Sequence, residues 1–191
     1  MKLHLVDINP VLVAAWRKSF CAFPEVDVQC GDILSVAHNC LVSPANSHGF
    51  MDGGIDDQYR RFFGPKIEEA VQHAILLRPE GMLPVGASLA VRTGHPRIPF
   101  LIVAPTMEMP EAVSSQHCGR AMRAILRLIR AHPSLGDDVF CPGLGTLTGR
   151  VAPDLASEEM ATVYSEWVKG VVENRDAQRA APDWPDHSAY H

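Results

Sequence analysis

The chain has 191 residues, 47% of them hydrophobic and 20% charged, with a formal net charge of -5. These values fit one globular domain with a sizeable core. They argue against a protein held to nucleic acid mainly by phosphate contacts, which would be basic, and no apolar run approaches a membrane span.

Lys2 to Ile8 alternates apolar side chains between two faces and reads as a strand. Asn9 and Pro10 then open a helix that runs to about Phe20, with Asn9 as N-cap and Pro10 at the first helical position. Val26 to Ile33 reads as a second strand and Leu41 to Ala45 as a short apolar third. After a glycine-rich loop, Ile55 to Phe63 forms a helical piece that Gly64 and Pro65 interrupt. Ile67, Ala70, Val71, Ala74 and Ile75 make the apolar stripe of the next helix, which Gly81 ends. Ala87 to Thr93 and Phe100 to Ala104 are strands, the latter continuously apolar and therefore central.

Glu111 to His132 is a long helix with Met122, Ile125, Leu126 and Ile129 inward. Arg120, Arg123, Arg127 and Arg130 line another side of it, read as a solvated face. Val139 to Cys141 is the last strand, and Asp154 to Val172 a closing helix with Met160, Val163, Tyr164, Trp167, Val168 and Val171 inward. Trp16 and Trp167 fall on apolar faces. From about Asn174 the chain turns polar, so the expected organisation is one domain over 1–173 and a tail over 174–191 that carries Trp184. The alternation of strands and helices predicts a parallel or mixed sheet with helices on both faces.

The chemistry concentrates in Val42 to Asp57, a strand end followed by a long glycine-rich loop. Gly49, Gly53 and Gly54 permit positive φ and close approach to a ligand, and successive free amides in such a loop make an anion-binding concavity. Asn46 and Asp56 add an amide and a carboxylate suited to sugar hydroxyls. A second loop, Pro142 to Gly149, also leaves a strand end. Ligands of open α/β sheets bind at those ends, so both loops are expected at one crevice. The five cysteines include no Cys-x-x-Cys pair, and the histidines lack ligand spacing, so neither a zinc site nor any other metal is expected. No signal-peptide pattern precedes the first strand, which makes the cytoplasm the expected compartment.

Three stretches in order carry a resemblance: Gly31-Asp32-Ile33, Pro44-Ala45-Asn46 leading to Gly53-Gly54-Ile55-Asp56, and Pro142-Gly143-Leu144-Gly145-Thr146. Together they resemble the macro domain family over about residues 25 to 172. The resemblance implies a three-layer α/β/α sandwich with a mixed, mainly parallel central sheet of about six strands. It also implies binding of ADP-ribose or an ADP-ribosylated macromolecule, with no cofactor and no membrane partner, and with nucleic acid only as a modified substrate. Many such domains hydrolyse an ADP-ribosyl linkage, in de-ADP-ribosylation or O-acetyl-ADP-ribose deacetylation; others are non-catalytic readers. A nucleic-acid or protein interaction domain using the arginine face is a third reading.

Carried over by position, Asp32 and the backbone of Ile33 would bind adenine. Gly53, Gly54 and Ile55 would line the diphosphate and distal ribose. Gly143, Gly145, Thr146, Leu147, Thr148 and Gly149 would hold the diphosphate from the other side. Asn46 would bond the distal ribose, and Asp56 would direct a water or cap the following helix. Departures from the family pattern are Ser43 in place of an asparagine, Met51 and Asp52 in place of a run of glycines, His48, Gly49 and Phe50 in the same loop, Leu147 in place of a glycine, and Arg150 where a glycine or aromatic residue often follows.

Overall fold

The computed structural model describes residues 1–180, with side chains through residue 171. Six strands form one sheet in the order β2-β1-β6-β3-β5-β4. They are β1 (Lys2–Asp7), β2 (Asp27–Cys30), β3 (Cys40–Ser43), β4 (Leu89–Arg92), β5 (Phe100–Val103) and β6 (Asp138–Cys141). All neighbouring pairs are parallel except β4 with β5. The sheet is therefore mixed and mainly parallel, with helices on both faces, as the alternation predicts.

The period of two along each strand sorts side chains between two cores. Leu3, Leu5, Cys40, Val42, Ile102, Val139 and Cys141 pack with α1 (Pro10–Ser19), α5 (Gln116–Ala131) and α6 (Pro153–Ala180). Val6, Leu41, Leu101, Val103 and Phe140 face the other way, onto α3 (Gly54–Phe63) and α4 (Lys66–Leu76). Trp16 is fully buried in the first core, and Trp167 packs against it. The cap at α1 is as expected: Asn9 Oδ1 accepts from the Val11 N–H at 3.0 Å.

Several boundaries differ from the sequence expectation, those of β2, α5 and α6 among them. The strand expected over Val26 to Ile33 stops at Cys30, because Asp32 caps a short helix, α2 (Ile33–Val36), accepting from the Leu34 N–H at 2.9 Å. The helix expected from Glu111 begins at Gln116. The preceding segment is tied to the second loop by the Val113 N–H, which donates to Gly149 O at 2.9 Å. α6 continues past Val172 to Ala180, while Trp184 and the rest of the tail lie outside the described residues.

At the amino ends of the strands, His4 is buried between two acids. Its Nδ1 lies 3.0 Å from Asp27 and its Nε2 2.8 Å from Asp138, and the ring stacks on Phe140 with centroids 4.2 Å apart. His38 reaches the other oxygen of Asp138 at 3.5 Å. Burial works to raise the Asp27 pKa, but hydrogen bonds from Gln29 and His4 outweigh it and hold the group below its usual value. The hydrogen bond from His4 does the same for Asp138.

Candidate functional site

Both glycine loops leave the carboxyl ends of parallel strands, and they meet. The first follows β3 and the second follows β6, its neighbour in the sheet. Between them lies a cavity of about 570 Å³. Its wall includes Asn46, Gly53, Gly54, Ile55 and Asp56 from the first loop and Gly143, Gly145, Thr146, Leu147 and Thr148 from the second.

The first loop is fixed by its own groups. Asn46 Oδ1 accepts from the N–H groups of His48 and Phe50 at 3.1 and 3.2 Å, and Nδ2 donates to Phe50 O at 2.8 Å. One Nδ2 hydrogen remains for a ligand. The departures from the family pattern have local reasons. Met51 buries its side chain in the second core while its N–H donates to Glu68 Oε1 at 2.9 Å, tying the loop to α4. Phe50 is exposed at the cavity edge, with the His48 ring 6.0 Å away. Gly49 and Gly54 adopt positive φ, 73° and 59°. Gly53 does not: at φ -151° it is extended backbone and serves as the N-cap of α3 without a side-chain bond.

The structure separates the three neighbouring carboxylates of this stretch. Asp57 is turned to arginine, 2.6 Å from Arg61 and 3.4 Å from Arg60. Asp52 is exposed on the cavity rim. Asp56 is buried in the cavity wall, and its Oδ1 accepts from the Ser43 hydroxyl at 2.6 Å. Burial pushes its pKa up to about 7, and the Ser43 hydrogen bond acts against that rise. With Gly53 as N-cap, Asp56 sits in the first turn of α3 and is not its cap.

Several wall residues escaped the sequence reading. Asp7, Ile8 and Asn9 line the cavity from the end of β1, and Thr106, Met107 and Pro110 from the segment after β5. Asp7 is a brace: its two oxygens accept from the N–H groups of Asn9 and Gly143, at 2.9 and 3.1 Å. Thr106 donates its hydroxyl to Pro44 O at 3.0 Å, and Ser47 N–H donates to Met107 O at 3.0 Å. The signal for Asp7 was available, since it ends a parallel strand whose neighbours both carry site loops or caps.

Asp32, Ile33 and Gly149 are not part of the cavity wall. Asp32 is exposed on the adjoining shoulder, where its Oδ1 caps α2. Ile33 points into the second core. Gly149 backs the second loop through its carbonyl bond with Val113. On α5, Arg120, Arg127 and Arg130 are exposed, while Arg123 pairs with Glu166 at 2.7 Å. Among the described residues no cluster of three or more His, Cys, Asp or Glu side chains is arranged to hold a metal ion, and no helix is long and apolar enough to cross a membrane.

Fold and cavity together define a class of protein: an α/β sandwich presenting two amide-rich loops and a buried carboxylate at the carboxyl end of a parallel sheet. Comparison with known proteins narrows the class. The Macro domain family model matches residues 42–160, and the chain belongs to that family. It is 36% identical over 138 residues to an uncharacterised protein of Aquifex aeolicus, covering 71% of this chain and 78% of that one. Among solved structures it resembles the macrodomain of Mycobacterium tuberculosis DarG, with a TM-score of 0.62, 22% identity, and coverage of 72% and 88%. An Oceanobacillus iheyensis macrodomain with ADP matches at a TM-score of 0.56 and 18% identity, covering 75% of this chain and 90% of that one. A mutant of the same macrodomain is known with ADP-ribose; it matches at a TM-score of 0.55 and 18% identity, with coverage of 75% and 91%.

Proposed function

We propose that this chain binds ADP-ribose or an ADP-ribosylated macromolecule and hydrolyses an ADP-ribosyl linkage, in de-ADP-ribosylation or O-acetyl-ADP-ribose deacetylation. The observation that carries the proposal is the buried Asp56 carboxylate in the wall of a cavity between two amide-rich loops. A pKa pushed up to about 7 makes it a competent base near neutral pH. The water oxygen bonds to the electrophilic carbon, its proton passes to Asp56, and the leaving group departs with the electron pair of the broken bond. Backbone amides of Gly53 to Ile55 and Gly145 to Thr148 meet the diphosphate. Asn46 offers its remaining amide hydrogen to the distal ribose. Asp32 retains one free carboxylate oxygen for the adenine amino group, on the shoulder beside α2. A compartment in the cytoplasm suits this role.

The commitment of Asn46 to its own loop favours a second reading, a module that holds ADP-ribose without turning it over. Calorimetry with ADP-ribose, followed by hydrolase assays on ADP-ribosylated protein and nucleic acid and on O-acetyl-ADP-ribose, separates the two. Saturable binding with turnover is expected. Binding without turnover selects the reader, and no saturable heat at millimolar ligand removes both.

A further inference from the structure

We infer that Ser43 is the positioning residue of this site: its hydroxyl fixes the orientation of the Asp56 carboxylate and favours the ionised form. The catalytic meaning of this inference rests on the proposed role of Asp56 as a base. Ser43 is 2% exposed and ends β3, opposite Val103 in register, and its carbonyl accepts from the Ala104 N–H at 3.0 Å. Its backbone is thus pinned by the sheet, and the hydroxyl is delivered from a rigid strand to the first turn of α3. The 2.6 Å separation from Asp56 Oδ1 is that of a charge-assisted O–H···O bond.

The surroundings leave the hydroxyl alone in this task. From its own helix, Tyr59 faces Asp56 but donates its phenol to Val42 O at 3.2 Å. Cys141 on β6, Asp7 on β1 and Asp32 before α2 act on the Tyr59 phenol and bring a thiol and two acids, none of them cationic. Arg60 and Arg61 are engaged by Asp57 and Glu68. The amides of the first turn of α3 add a favourable partial charge. Among the described side chains, Ser43 is the one donor bonded to Asp56, and it opposes the rise that burial imposes. The asparagine common at this position in the family would bring a larger amide in its place.

The test is a carboxyl-carbon NMR titration of Asp56, with the resonance assigned by its loss in Asp56→Asn, together with the pH profile of kcat. In Ser43→Ala the Asp56 midpoint should rise by about one pH unit, the order expected from losing one hydrogen bond to a charged group. The ascending limb of kcat should move by the same amount, giving about a tenfold loss at pH values below both midpoints. KM should stay at its wild-type value, and Ser43→Thr should restore midpoint and limb. If Ser43→Ala does not fold, Ser43→Cys, a weaker donor of similar shape, must move the midpoint in the same direction. A midpoint that stays in place overturns the inference. Absence of turnover at every pH instead overturns the hydrolase reading, and the titration alone then decides the role of Ser43.

Discussion

At the amino ends of β1, β2 and β6, two carboxylates share one imidazole, and both ring nitrogens of His4 have an acidic partner. At the carboxyl ends of β1, β3 and β6, a more deeply buried carboxylate receives a single hydroxyl and no cation. The same sheet therefore pushes carboxyl groups in opposite directions, Asp27 and Asp138 downward and Asp56 upward. The difference teaches where the molecule is optimised for stability and where it departs from that optimum. An uncompensated buried acid is costly to keep, and such groups concentrate where chemistry needs them.

Substitutions at the two poles should break this comparison unequally. The largest effect is expected from Asp56→Ala: hydrolysis of an ADP-ribosyl substrate should fall by ~10²–10⁴-fold. Calorimetric affinity for ADP-ribose should persist, and a parallel loss of binding would mean that Asp56 holds the ligand instead. At the other pole, His4→Phe keeps a ring against Phe140 but strands both acids, and should cost about 1–3 kcal/mol in urea unfolding at neutral pH. ADP-ribose affinity should be untouched, because the pole lies at the opposite end of the strands.

The pH dependence of stability should carry opposite signs. Asp27 and Asp138, lowered in the fold, contribute stability above the ordinary carboxylate range that is lost as pH falls through their folded values. Asp56, raised in the fold, contributes stability at pH below the unfolded carboxylate value, lost as pH rises towards about 7. Thermal melts of Asp56→Asn should therefore show stabilisation over wild type at about pH 8 that vanishes below about pH 4. A gain of equal size at both pH values would contradict the sign. The smallest effect belongs to neither pole: Arg123→Ala removes an exposed pair with Glu166 and should change unfolding free energy by no more than about 0.5 kcal/mol.

The fold was legible wherever one periodicity ran undisturbed. Leu3 and Leu5 against Val6, or Cys40 and Val42 against Leu41, announce a sheet buried on both faces, and the structure divides them between the two cores accordingly. Legibility failed where a long-range bond overrode local pattern. The segment before α5 stays outside the helix where the Val113 N–H bonds Gly149 O, and no spacing rule reveals that. At Gly31-Asp32 the signal was present and misread, since Asp32 is a helix cap that ends the strand early. In the site, the glycine loops and Asp56 follow from residue type and position. The Ser43–Asp56 bond spans thirteen residues and belongs to no periodic pattern, so only the packing of α3 against β3 exposes it. Likewise, the burial of Asp56 against the exposure of Asp52 is a fact of three dimensions, whereas the pairs of Asp57 with Arg60 and Arg61 follow helical spacing.

The knot that Asn46 ties has a thermodynamic consequence. One side-chain amide makes bonds with His48 and Phe50, closing residues 46–50 on themselves, and Met51 anchors the far side to α4. The loop surrenders its conformational freedom during folding, so a ligand meets a surface already in its bound shape. Association should therefore carry little ordering entropy from this loop, and the Phe50 amide should exchange with solvent slowly before any ligand arrives.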